Sequence, residues 1–117
     1  MKNLTPGSKR TTFDGTNPVT IVPAPAAGWT RTVVALRVTN LDSAVVTPIL
    51  SKNIGGVLTE VESRAGLAVG APWKDAITLL QRMILQDTTE SLSMALAGAI
   101  ATVQPVAIAE WFDGEND

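Results

Sequence analysis

Hydrophobic positions along this chain recur with a period of two, in short runs separated by clusters of turn-forming residues. Such a pattern predicts β-strands that bury one face. The clearest run is Arg31 to Thr39, with Val34, Leu36 and Val38 on one face and Val33, Ala35, Arg37 and Thr39 on the other. A short β-branched run, Thr20-Ile21-Val22, precedes it and is closed by Pro23-Ala24-Pro25. Each proline there removes a ladder donor, which keeps that segment at an edge or in a connection. Asn40-Leu41-Asp42-Ser43 has the composition of a turn, because Asn and Asp bond their own backbone and tolerate left-handed conformations. Ala44 to Lys52 reads as the next strand, with Pro48 marking an edge or a bulge, so the two runs predict a hairpin.

After the turn Asn53-Ile54-Gly55-Gly56, the segment Val57 to Glu62 alternates, with Val57, Thr59 and Val61 opposite Glu60 and Glu62. Ala65 to Pro72 carries two glycines and reads as a loop that sends Leu67 and Val69 inward. Lys74 to Gln86 is ambiguous. Ala76, Ile77, Leu80, Met83 and Ile84 fit helical spacing with Asp75 in the first turn, and they also fit two short strands, Ile77 to Leu80 and Met83 to Leu85. The short, turn-bracketed segments on both sides favour strands. Beyond the polar Asp87-Thr88-Thr89-Glu90, a strand over Ser91 to Ala97 turns Leu92, Met94 and Leu96 inward. A small-residue loop over Gly98 to Val103 leads to a last strand, with Val106, Ile108 and Glu110 on one face and Ala107, Ala109 and Trp111 on the other, Trp111 pointing outward.

Seven or eight short strands predict an all-β fold, an antiparallel β-sandwich of jelly-roll or immunoglobulin-like type. Residues 18–112 form that sandwich. Residues 1–17, polar and without periodicity, read as an extended N-terminal arm, and residues 113–117 as an acidic tail.

Composition narrows the chemistry. The chain has 117 residues, enough for one domain. It is 45% hydrophobic and only 17% charged, where about a quarter charged is usual, which hints that part of the surface faces another chain. Nine basic and eleven acidic residues leave a net charge of -2, so no nucleic-acid-binding face is expected. There is no cysteine and no histidine. Disulfides, thiolate metal sites and the commonest general base are thereby excluded. Neither a signal peptide nor a run of about 18 apolar residues is present, and a protein made in the cytoplasm with no membrane partner is expected.

Candidate catalytic constellations are weak. Ser51 and Lys52 are adjacent and point to opposite faces of a strand. Glu60 and Glu62 share a face, and paired carboxylates can hydrolyse glycosides, but a solvated strand face explains them as well. No phosphate-binding glycine loop occurs. No enzyme activity, no cofactor and no metal are expected. Trp29, Trp73 and Trp111 are more informative, since tryptophan either closes an end of a sandwich or supplies interface area.

The run Glu90-Ser-Leu-Ser-Met-Ala-Leu-Ala-Gly-Ala-Ile-Ala-Thr-Val-Gln-Pro-Val-Ala-Ile-Ala-Glu-Trp111 resembles the last two strands of small β-sandwich virion proteins of tailed bacteriophages. Ala27-Gly28, Thr32-Val33-Val34 and Val38-Thr39-Asn40 resemble their first hairpin, so the likeness spans roughly residues 20–112. It implies a non-catalytic virion component that decorates or stabilises the capsid or the head–tail neck. It also implies a homo-oligomer, a trimer above all, in contact with major capsid or neck proteins. Within that reading Lys9, Arg10, Trp29, Trp73, Trp111 and Phe112 are the candidate interface. Lys9 and Arg10 would pair with Asp113, Glu115 and Asp117 of a neighbour, and loss of Met1 to Arg10 would weaken assembly without unfolding the domain. The alternative is a carbohydrate- or receptor-binding module at a tail tip or cell surface, with a tryptophan as its platform.

Overall fold

A computed structural model describes residues 2–13, 15–77 and 82–116, with the side chains of Lys2, Asn3 and Asp75 left aside. No helix occurs among the described residues, and two antiparallel sheets pack face to face. The strands are β1 (Lys2–Thr12), β2 (Val19–Val22), β3 (Trp29–Thr39), β4 (Pro48–Ile54), β5 (Val57–Ser63), β6 (Pro72–Ile77), β7 (Met83–Leu85), β8 (Glu90–Leu96) and β9 (Val106–Glu115).

One sheet runs β1-β9-β3-β6, with β7 also on β3, and the other runs β2-β8-β4-β5. First strand pairs with last, second with eighth, third with sixth and fourth with fifth. That nesting is a long hairpin rolled over on itself, the jelly roll, which separates it from the immunoglobulin-like alternative. It also overturns the predicted hairpin between Arg31–Thr39 and Ala44–Lys52. β3 and β4 lie in different sheets, and the chain crosses between them at Asn40 to Thr47.

Lys74 to Gln86 resolves into strands where it is described. β6 pairs with Leu36, Val38 and Thr39, and β7 with Arg31, Thr32 and Val33. The two follow one another along the same edge of β3, as one interrupted strand. The expected strand Ile77 to Leu80 lies, beyond Ile77, outside the described residues.

The arm is also corrected. Residues 2–12 are an edge strand of the molecule's own sheet, in register with β9 from Lys2–Glu115 to Thr12–Val106. Likewise the tail is strand as far as Glu115, which lies opposite Trp29, while Asp117 is outside the described residues. Polar sequence concealed β1 because both its faces are largely wet, so alternation has nothing to report.

Phe13, Ile21, Leu36, Leu50, Leu85, Leu92 and Met94 are fully buried between the sheets. Each such side chain contributes about 1.5–3 kcal/mol by leaving water. The expected inward set on β8, Leu92, Met94 and Leu96, is observed. On β3 the inward set is instead Val33, Leu36 and Val38, since a bulge between Val33 and Ala35 reverses the alternation partway. On β9 the faces are opposite to expectation, with Ala107, Ala109 and Trp111 buried.

Candidate interaction surface

The topology sorts the connections onto two poles of an elongated body, 47 × 25 × 20 Å. Connections β1–β2, β3–β4, β5–β6 and β8–β9 gather at one end, the loop pole. Connections β2–β3, β4–β5 and β7–β8 gather with the start of β1 and the end of β9 at the other, the hairpin pole.

Two buried polar residues organise the loop pole. Asn40 donates through Nδ2 to the carbonyls of Ala44 (2.9 Å) and Leu67 (3.0 Å), while its Oδ1 accepts from the Asp42 N–H. Asp42, 1% exposed, accepts from the backbone N–H groups of Ser43, Ala101, Thr102 and Val103 and from the Thr102 hydroxyl. Those donors, above all the Ala101 and Thr102 N–H groups, hold its carboxyl well below the usual carboxylate range. Three loops distant in sequence are thereby fixed to one another. The turn composition of residues 40–43 was legible, but its partners at 67 and 101–103 were not.

From those fixed loops Leu41, Val45, Val69 and Val103 point outward, 47%, 60%, 56% and 50% exposed. Val69 was expected inside. Its neighbour Leu67 is buried, held by a two-way backbone bridge with Val46, but the chain then turns, with the Ala71 N–H bonded to the Ala68 carbonyl, and that turn carries Val69 outside.

At the hairpin pole, Arg31 lies across the end of the core. Its guanidinium makes a fork to Asp113, Nε to Oδ1 at 2.7 Å and Nη2 to Oδ2 at 2.9 Å, and donates through Nη1 to the Pro23 carbonyl. It also sits 4.7 Å above the Trp111 ring. Asp113 is thus engaged within its own chain. Lys9, too, donates to its own Thr20 carbonyl at 3.3 Å, and Lys52 to that of Ile84 at 3.2 Å besides pairing with Glu90. Each of these three cations ties one sheet to the backbone of the other sheet or its flank.

The expected interface residues are not brought together. Trp73 and Trp111 are each 7% exposed and belong to the core, and Trp29 is half-buried. Trp111 is packed under Gly7, where a Cβ would collide with the indole nitrogen. Trp73 and Trp111 are thereby covered, while Trp29 lines a shallow depression with Thr5, Ala26, Arg31 and Asp113. Phe112 does lie outside, 45% exposed, above a shallow depression with Pro6, Val34 and Glu110. Arg10 is exposed on β1.

The alternation over Val57 to Glu62 does correspond to a strand, β5, but its exposure on both faces was not legible in that pattern. Every one of its seven residues is exposed, Val57, Leu58 and Val61 among them, and among the described residues only β4 pairs with it. Glu60 and Glu62, with a bulge between their partners Ser51 and Leu50, are both exposed on this open edge. Among the described residues, no group of three or more acidic side chains is placed to hold a metal ion.

No protein-family model matches the chain, and no curated protein matches it. Among solved structures, the chain is similar to a protein described under "Bacillus endospore appendages form a novel family of disulfide-linked pili". The likeness has a TM-score of 0.55 at 10% identity and covers 98% of this chain and 88% of that one. At that identity it speaks to the fold.

Proposed function

We propose that this protein is a non-enzymatic structural subunit that assembles with copies of itself, in the setting its sequence resembles, the virion of a tailed phage. The observation that carries this reading is β5. An edge strand with all seven residues exposed and three large apolar side chains among them presents unpaired N–H and C=O groups to any strand that meets it. Natural sheets cover or blunt such edges unless they are used. Here Glu60, Glu62 and the bulge opposite Leu50 and Ser51 blunt the edge in part, and three large apolar side chains remain exposed along it.

The pilus protein of similar fold supports an assembling subunit as well. Its pili are disulfide-linked, whereas this chain contains no cysteine. An assembly of this chain therefore does not use disulfides of its own.

Val61→Lys, in the middle of β5, tests the reading. Purified protein should associate with rising concentration in sedimentation velocity, and the variant should associate less. Wild-type protein that stays a monomer at millimolar concentration removes the proposal. The phage setting is tested by mass spectrometry of purified particles, in which the chain should recur in fixed ratio to the major capsid protein.

A further inference from the structure

Two open sheets have four edges, and in this chain two of them are blunted along their length. β2 is four residues long, lies between Pro18 and Pro23, and shifts register between Thr20 and Val22. β6 opens on Pro72, pairs out of register between Leu36 and Val38, and gives way to the three-residue β7. Prolines, bulges and short strands keep an edge from accepting a further strand. The other two edges are longer. β5 offers residues 57–63, and β1 offers residues 7–12, which follow Pro6 and run in unbroken register along β9. Among the described residues neither has a second strand beside it.

We infer that β1 of one copy pairs with β5 of the next, which deepens the assembly reading above and rests on it. β1 lies over β2, where Lys9 reaches the Thr20 carbonyl, and β5 is at the far end of β2's sheet. The two open edges therefore lie on opposite sides of the sandwich, and one copy can use both at once. The other strand that could meet β5 is β5 itself. Antiparallel pairing of all seven residues about a two-fold axis sets Glu60 against Glu60, and like charges directly opposite are destabilising. β1 has no acid of its own, and Lys9 and Arg10 stand exposed in its open stretch. Across residues 7–12, β9 contributes one acid, Glu110, while β5 holds two acids and no base, with Arg64 just beyond its end. Both strands are already extended in their own sheets, so little backbone entropy is lost on pairing. The contact is heterologous, and repeated it builds a row rather than a closed dimer.

Because the chain has no cysteine, single introduced thiols test this on the full chain. Ser8→Cys marks β1 and Thr59→Cys marks β5; both positions are exposed, so both variants should fold, which circular dichroism checks. Treated with a short bismaleimide, whose arm tolerates a shift in register, a mixture of the two should give a covalent mixed dimer. Each variant treated alone should stay uncrosslinked. In sedimentation velocity, Arg10→Glu should weaken self-association about two- to fivefold, and Glu60→Arg added to the same chain should restore it. Thr59→Cys that crosslinks to itself, an associating mixture that yields no mixed dimer, or a double reversal no better than Arg10→Glu overturns the β1–β5 contact. If Val61→Lys still abolishes association in that case, the structural-subunit reading stands without it. Wild-type protein that never associates removes the reading itself.

Discussion

Arg31 and Asp113 stand directly opposite each other on β3 and β9, and their side chains close into a two-bond fork over the Trp111 ring. The fork is 12% exposed on the arginine side and 21% on the aspartate side. Its third bond reaches Pro23, so one guanidinium joins β3, β9 and the chain that leaves β2.

Arg31→Met should therefore destabilise the protein by about 1–3 kcal/mol, the cost of leaving a partly buried carboxylate without its donors. Arg31→Lys should recover little, since an ammonium cannot make the fork. Urea denaturation gives the free energies, and a change in tryptophan emission should report the loss of the cation above Trp111.

Lys52 provides the contrast. Its ammonium makes one contact to Glu90, at 3.0 Å, and its side chain is 25% exposed against 12% for Arg31, so Lys52→Met should cost only about 0–1 kcal/mol. Equal losses at Lys52 and Arg31 in the same urea experiment would show that the fork geometry contributes nothing.

Asp42→Asn should loosen all three loops of the loop pole and lower Tm. The sign of its pH dependence follows from the depressed pKa. The Asp42 contribution is fully present above the ordinary carboxylate range, near 4, and is lost as pH falls below it. The difference in stability between wild type and Asp42→Asn should be constant from pH 7 to about pH 5 and narrow below about pH 4. Urea melts at successive pH values measure it. A difference that grows on acidification would contradict the clamp.

Gly7 is set opposite Trp111 in the β1–β9 register, and its missing Cβ is what admits the indole. Gly7→Ala should cost about 1–3 kcal/mol by overpacking. The same substitution in a Trp111→Leu background should cost clearly less, a coupling that a double-mutant cycle reads directly.

Deletion of residues 2–12 should unfold or aggregate the protein rather than merely weaken its assembly. The deletion strips β1 from β9, exposes that strand's edge and uncovers Trp111. A shortened chain that keeps a cooperative thermal transition at the wild-type Tm would show that β1 adds nothing to the fold.

Local pattern alone determined that this protein is all-β. Alternation over residues 31–39 and 91–97 placed two strands close to their observed bounds, and the turn residues at 40–43, 55–56 and 87–89 fell between strands, whereas Asn53, Ile54 and Glu90 belong to strands. Sequence also determined that the chain carries no thiol or imidazole, a fact of composition. What it could not determine was pairing. Hydrophobic period reports that a face is buried, not which strand lies beside it, so β3 and β4 read as a hairpin although the jelly roll gives β3 to β9, β6 and β7.

The same limit explains the site. Trp111 reads as outward or inward depending on register, and a one-residue choice reverses every side chain on β9. Its burial was decided by Gly7, more than a hundred positions earlier, making room for the ring. β1 lacked any pattern because its stability comes from hydrogen bonds to β9, which every residue but proline can donate. The exposure of Val57, Leu58 and Val61 is likewise a tertiary fact. Val57 and Val61 alternate with Glu60 and Glu62 like core residues, and the position of β5 at the rim of its sheet leaves that edge without a strand partner among the described residues.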